Sequence, residues 1–191
     1  MILYLTKKAK ERYSIKTPEE ISVEIKPYVM SVIEKEQGDR LYEWGCKLFY
    51  FDRKKCLELI HFASKFTVYL IDIKVDDLDK IPEMLMFYAL HVFEDDDEMQ
   101  EAITKYFNSA PVFVYDKLTD KSAISSLNRH LSEFAMDGYR FYEYISNGIL
   151  HSKRINYDAN KQWIVTVNID GKTDYYYPAE AFERIIRKNF C

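Results

Sequence analysis

The side chains able to do chemistry in this chain are few, and their spacing decides what they can do. The four histidines stand at positions 61, 91, 130 and 151, with no HxH or HExxH pair among them. His61 and His130 are the candidates for a general base. His91 precedes Glu94 by one turn of a predicted helix, but a metal site there needs a third ligand, so no metal is expected. The run Glu94-Asp95-Asp96-Asp97-Glu98 lacks the spacing and the glycine of a calcium loop. It opens a predicted helix, where carboxylates suit the positive end of the macrodipole. Asp76, Asp77 and Asp79 read the same way. Ser122, Ser125 and Ser126 have no glycine elbow, and five glycines leave no room for a phosphate-cradling loop. No cofactor is expected.

Binding chemistry is better represented than catalysis. Asp52-Arg53-Lys54-Lys55 places three cations in a row at a predicted hairpin tip, able to meet phosphates or an acidic protein. The chain holds 16 Tyr, 12 Phe and 2 Trp, and Tyr139–Tyr144 interleaves rings with charge. Tyr142 and Tyr144 are the candidates there. Such rings serve first a tyrosine-rich core, then a protein interface, and last stacked bases.

The elements that must carry these groups follow from pattern. Residues 2–6 form a short strand and Lys7–Tyr13 a helical turn. Thr17-Pro18-Glu19-Glu20 has the form of a capping box, which predicts a helix with Ile21, Ile25 and Val29 on one face and a kink at Pro27. Strands at 44–51 and 56–62 flank the basic turn, and 66–73 adds a third strand in a meander. Centring that turn at 53–54 sets Cys46 opposite Ile60 or His61, so no Cys46–Cys56 disulfide is expected. Helices follow over 77–93 and 96–108, then a strand at 112–115 and a helix from Thr119 towards Gly138. Residues 139–146 suit helix or strand. Asn147-Gly148 and Asp170-Gly171 signal turns, the second joining strands 162–169 and 172–177 before a helix over 179–188. The elements do not alternate, which predicts an α+β fold: a mostly antiparallel sheet (N-terminal strand, three-strand meander, C-terminal hairpin) packed with several helices.

The 191 residues, 48% hydrophobic and 30% charged, suit one compact domain with or without a small appendage, and exclude collagen, disorder and a disulfide miniprotein. Net charge is −4, which argues against a basic nucleic-acid coat. Residues 61–110 hold 4 basic and 11 acidic groups, so the acidity is local. Three cysteines without a CxxC pair suit a reducing, cytoplasmic setting. No apolar run is long enough to span a membrane, and no membrane partner is expected.

Several segments together resemble a known family. They are Leu5-Thr6-Lys7-Lys8, Trp44, Asp52-Arg53-Lys54-Lys55, the strand Phe66–Ile73 after Ala63-Ser64, and Leu118-Thr119-Asp120-Lys121-Ser122 leading to Leu127-Asn128. They resemble a bacterial domain of unknown function that is also found joined to plasmid ORF-3-like proteins of mobile elements. The resemblance covers about residues 1–135 and leaves 136–191 as a C-terminal extension packed on the first unit. It implies a bacterial or mobile-element setting and no reaction. It marks Arg53 and Asn128 as candidate site residues, with structural roles fitting equally.

Two function classes remain. The first is a non-catalytic binding protein acting on a bacterial protein or nucleoprotein complex; one concrete form is an anti-defence inhibitor, for instance of a CRISPR effector. The second is a small metal-independent nuclease that processes RNA, with His61 or His130 as base and Arg53 and Lys54 on phosphate. Convergence of Arg53, His61, His130 and Asn128 in one cleft would favour the second.

Overall fold

The apolar tetrapeptide Ile-Leu-Tyr-Leu near the N-terminus sets the centre of the molecule. A computed structural model describes residues 1–38 and 40–191. Strand β1 (Ile2–Leu5) is buried along its whole length. It lies between β2 (Glu43–Phe51) and β5 (Val114–Lys117), parallel to both. Strands β3 (Lys54–His61) and β4 (Thr67–Leu70) continue the sheet antiparallel, giving the order β4-β3-β2-β1-β5. The fold is α+β as expected, but this sheet is mixed, not mostly antiparallel. Parallel neighbours need crossovers, and helices α1 (Lys7–Tyr13) and α2 (Lys26–Glu36) fall between β1 and β2. A continuous apolar strand such as β1 is the usual trace of parallel pairing buried on both faces.

The predicted hairpin and meander are present, with a shifted register. Asp52 and Arg53, at φ of 47° and 61°, form a two-residue turn, so Phe51 pairs with Lys54 and Cys46 with Leu59. Lys54 and Lys55 stay in the ladder because polar side chains at a strand end do not prevent pairing. The three cysteines are free. The helix expected from Thr17 is absent. Glu20 does accept from the Thr17 amide and hydroxyl, each at 3.0 Å, but α2 starts only at Lys26, with Pro27 in its first turn. There the missing N–H of proline costs nothing, whereas inside a helix it would break a bond. Ile25 is left 55% exposed.

Beyond β4 come a 3-10 segment (Val75–Lys80), α3 (Ile81–Val92) and α4 (Asp97–Ser109). The Asp96 carboxylate caps α4 by accepting from the Met99 amide at 2.9 Å, as the acidic run predicted. Helix α5 (Lys121–Glu133) opens on Asp120, which accepts from the Ser122 and Ala123 amides. Residues Met136–Tyr144 resolve as 3-10 turns broken at Asp137-Gly138, not as strand or α-helix. The short hairpin β6 (Ile145–Ser146) and β7 (Ile149–Leu150), helix α6 (Ser152–Lys161), the hairpin β8 (Val165–Ile169) and β9 (Lys172–Tyr176), and α7 (Pro178–Phe190) complete the chain. Asp170-Gly171 makes the predicted tight turn, at φ of 55° and 79°.

One sheet face carries Trp44, Cys46, Leu57, Leu59 and Val68 against α1, α3, α4 and α7. The other carries Phe49, Phe51, Cys56 and Tyr69 against Phe134, Phe141, Ile155 and Ala159. Helix α5 packs on this second face at Gly45. A Cβ there would meet Phe62 Cε1 at 2.7 Å and Leu127 Cδ1 at 3.0 Å. Gly45→Ala is therefore expected to cost about 1–3 kcal/mol through overpacking, read from urea unfolding. A neutral result would show that α5 shifts freely.

Candidate functional site

The basic turn and the tyrosines meet at one end of the sheet. Residues alternate along β2 and β3, so the two faces of the hairpin end present different rings. On one face Phe51 pairs with Lys54, and Tyr142 lies edge-on to Phe51 with ring centroids 4.9 Å apart. On the other, Tyr50 pairs with Lys55, whose ammonium sits 5.7 Å above the Tyr13 ring. Tyr50 and Tyr142 are each 52% exposed. The hairpin end thus carries one exposed ring on each face beside the three tip cations. Gly138 fixes the 3-10 segment here: its φ is 98°, and a Cβ would lie 3.2 Å from the Tyr50 carbonyl oxygen. Lys54 is the only one of the three tip cations with a carboxylate nearby among the described residues, Asp72 at 3.7 Å.

The remaining predicted site residues lie elsewhere. Tyr144 turns towards α6, where its hydroxyl donates to Asp158 at 3.0 Å. Asn128 is exposed on α5. His61 is buried under Trp44, with ring centroids 5.1 Å apart. Its Nε2 donates to the Leu41 carbonyl and its Nδ1 accepts from the Ser64 hydroxyl, both at 2.8 Å. Burial pulls its pKa down to about 4, so the ring is neutral and both nitrogens are engaged in the core. His91 meets Glu94 at 2.8 Å as the helix spacing allowed. Among the described residues no group of three His, Cys, Asp or Glu is placed to hold a metal ion.

His130 belongs to a different and fully interior group. The Tyr69 hydroxyl lies 2.7 Å from His130 Nδ1 and 3.4 Å from Glu58 Oε1. Glu58 and Tyr69 are fully buried and His130 nearly so. Burial pushes the Glu58 carboxyl up from the usual carboxylate range, which favours the neutral acid. The Tyr69 hydroxyl donates to Glu58 and so links the carboxyl to the His130 ring. His130 Nε2 and Glu58 Oε2 have no protein partner. His130 also lines a cavity of about 160 Å³ between α5, the β8–β9 hairpin and the β3–β4 turn.

Sequence reasoning named His130 but missed Glu58 and Tyr69. One signal existed. Glu58 shares its strand face with Cys56 and Ile60, so strand alternation aims a carboxylate into the core. A lone charge at such a position requires a polar partner.

The model of a family described as a domain of unknown function, DUF6933, matches residues 2–181. The chain belongs to this family. No curated protein and no solved structure matches it. The match reaches past the 1–135 span of the sequence resemblance and takes in the 3-10 segment, α6 and the β8–β9 hairpin. Both the tyrosine-flanked tip and the His130 cavity thus lie within the family domain. Among the described residues no helix is long and apolar enough to cross a membrane.

Proposed function

We propose that this protein is a non-catalytic binding protein whose partner is a bacterial nucleoprotein, gripped through its exposed single-stranded RNA. The carrying observation is the hairpin tip, where Arg53, Lys54 and Lys55 share one end of the sheet with the exposed rings of Tyr50 and Tyr142. Cations beside exposed aromatic rings suit a phosphate backbone with splayed bases. The dispersal of Arg53, His61, His130 and Asn128 also supports binding over catalysis. The setting we propose is the bacterial cytoplasm, with a mobile element as the source and inhibition of a defence complex such as a CRISPR effector as the concrete role.

Fluorescence anisotropy with a labelled oligouridine tests the core of the proposal. Reversing Arg53, Lys54 and Lys55 to Glu is expected to weaken binding at least ~10-fold and to flatten the salt dependence by about two phosphate contacts. Tyr142→Ala is expected to cost about 1–3 kcal/mol of binding at unchanged salt slope. Equal affinity of all variants would remove the tip from the proposal.

A second reading, an RNA-processing nuclease, is favoured by one observation: His130 lines a cavity, and its Nε2 has no protein partner. That cavity is smaller than the ~300–1,000 Å³ of ordinary small-molecule sites, and His130 is 4% exposed, so an RNA chain has no path to the ring. Labelled RNA left intact by the purified protein, with and without divalent metal, would dispose of this reading.

A further inference from the structure

The 3-10 segment beside the hairpin tip carries a second ring on the same side as Tyr142. Past the break at Asp137-Gly138 the backbone from Tyr139 to Tyr144 keeps 3-10 geometry. Such a helix repeats every three residues, so side chains three apart eclipse one another, with an axial spacing of about 6 Å. Three rows of different character result. Phe141 and Tyr144 form the inward row: Phe141 is fully buried against Phe49 and Phe51, and Tyr144 donates to Asp158. Arg140 and Glu143 form the charged row, with the Arg140 guanidinium above the Phe134 and Trp163 rings. Tyr139 and Tyr142 form the outward row, 74% and 52% exposed.

The outward row starts at the tip cations. Tyr142 lies against Phe51, with ring centroids 4.9 Å apart, and Phe51 pairs with Lys54. Tyr139 is not engaged by the fold. Among the described residues its side chain makes no hydrogen bond, ion pair or ring contact, and the two outward rings do not touch each other. Stacked bases lie 3.4 Å apart, so a base held between two rings needs a ring spacing of about 6.8 Å. The eclipsed spacing of about 6 Å comes close to this, and exposed side chains can open by the difference.

We propose that Tyr139 and Tyr142 clamp one unpaired base between their faces, beside the phosphates met by Arg53, Lys54 and Lys55. The inference rests on the RNA reading above and adds a selection to it. The tip cations meet any phosphate backbone, whereas the clamp admits only a base that is free of its own stack and pair. The site therefore selects single strands. Arg140 is outside the clamp, because its guanidinium lies over Phe134 and Trp163.

The test is anisotropy of a labelled oligouridine with the full chain. Tyr139→Ala is expected to weaken binding at least ~5-fold, at unchanged salt slope and unchanged melting temperature. Tyr139→Phe is expected to bind as wild type, because the ring face and not the hydroxyl makes the contact. Combining Tyr139→Ala with Tyr142→Ala is expected to cost less than the product of the two single losses, since one base leaves one clamp. Tyr28, 57% exposed on α2, serves as a control ring remote from the clamp in sequence, and Tyr28→Ala is expected to change nothing. Duplex RNA of the same length is expected to bind more weakly and to be insensitive to Tyr139→Ala. The proposal is overturned if Tyr139→Ala binds as tightly as wild type, or if Tyr139→Phe loses as much as Tyr139→Ala. It is equally overturned if Tyr28→Ala weakens binding as much, if the two single losses multiply in full, or if Tyr139→Ala weakens duplex binding to the same extent. In each of these cases the RNA reading itself stands, provided that charge reversal at the tip still weakens binding. A wild-type protein that does not bind oligouridine removes both the clamp and the RNA reading, and leaves the exposed rings to a protein partner.

Discussion

Removing the amide side chains of Asn156 and Asn160 is expected to destabilise the protein more than any other pair of substitutions in α6. Strand β4 is the edge of the sheet, and its outer backbone groups would otherwise lie unpaired under α6. The two asparagines pair with them. Asn156 Oδ1 accepts from the Tyr69 amide at 2.7 Å, and its Nδ2 donates to the Tyr69 carbonyl at 3.1 Å. Asn160 does the same for Thr67, at 2.9 and 2.7 Å. The fit is geometric. Four helical residues rise about 6 Å, and two strand residues about 6.6 Å, so one helical turn spans one strand repeat. Each amide acts as a single missing strand residue. All four side-chain contacts are buried, so Asn156→Ala or Asn160→Ala leaves a donor and an acceptor without water. Each is expected to cost about 2–4 kcal/mol, read from urea unfolding. Asn156→Asp is expected to be as damaging, because it sets a carboxylate oxygen against the Tyr69 carbonyl. Losses under about 1 kcal/mol would mean that β4 finds other partners when α6 lets go.

The second large effect is a pH dependence centred on His61. Its folded pKa is about 4, below the ~6.5 of an unfolded histidine. The unfolded chain therefore binds a proton that the folded chain refuses. The stabilisation is fully present above about pH 6.5, falls as pH drops, and is gone near pH 4. The shift corresponds to about 3 kcal/mol. Glu58 acts in the opposite sense, because a raised folded pKa favours the folded state as pH falls. Comparing wild type with His61→Gln cancels that contribution. The stability gap between them is expected to shrink by about 3 kcal/mol from pH 7 to pH 4, measured by chemical denaturation at each pH. A gap that stays constant would show that the imidazole titrates normally.

Asn156 and Asn160 also show where sequence reasoning stops. Both sit in Asn-Tyr-Asp-Ala-Asn, a stretch with no apolar stripe to attract notice, and the C-terminal hairpin expected in the main sheet forms a separate two-stranded sheet instead. In the structure α6 completes the edge of β4, and the hairpin β8–β9 roofs the His130 cavity. Of the predicted site residues, Arg53, Lys54, Lys55 and Tyr142 come together, whereas His61, Asn128 and Tyr144 go to separate surroundings. Tyr142 reaches the tip only because Gly138 lets the 3-10 segment press against β2.

What the sequence determined by itself is local. Asp170-Gly171 and Asn147-Gly148 turn because their residues accept positive φ, and Asp96 starts α4 because its carboxylate meets free amides within one turn. The stripe of Met99, Ala102, Ile103, Tyr106 and Phe107 faces the core because 3.6-residue periodicity needs no distant partner. The tertiary structure alone decided the rest: the direction of β1 and β5, the joining of Glu58, Tyr69 and His130, and the clamp of α6 on β4. Those depend on groups up to 112 positions apart in the chain, as in the pairing of Ile2 with Val114. A strand's side-chain pattern is the same whichever way its neighbour runs, and a polar residue shows its partner only once both are buried.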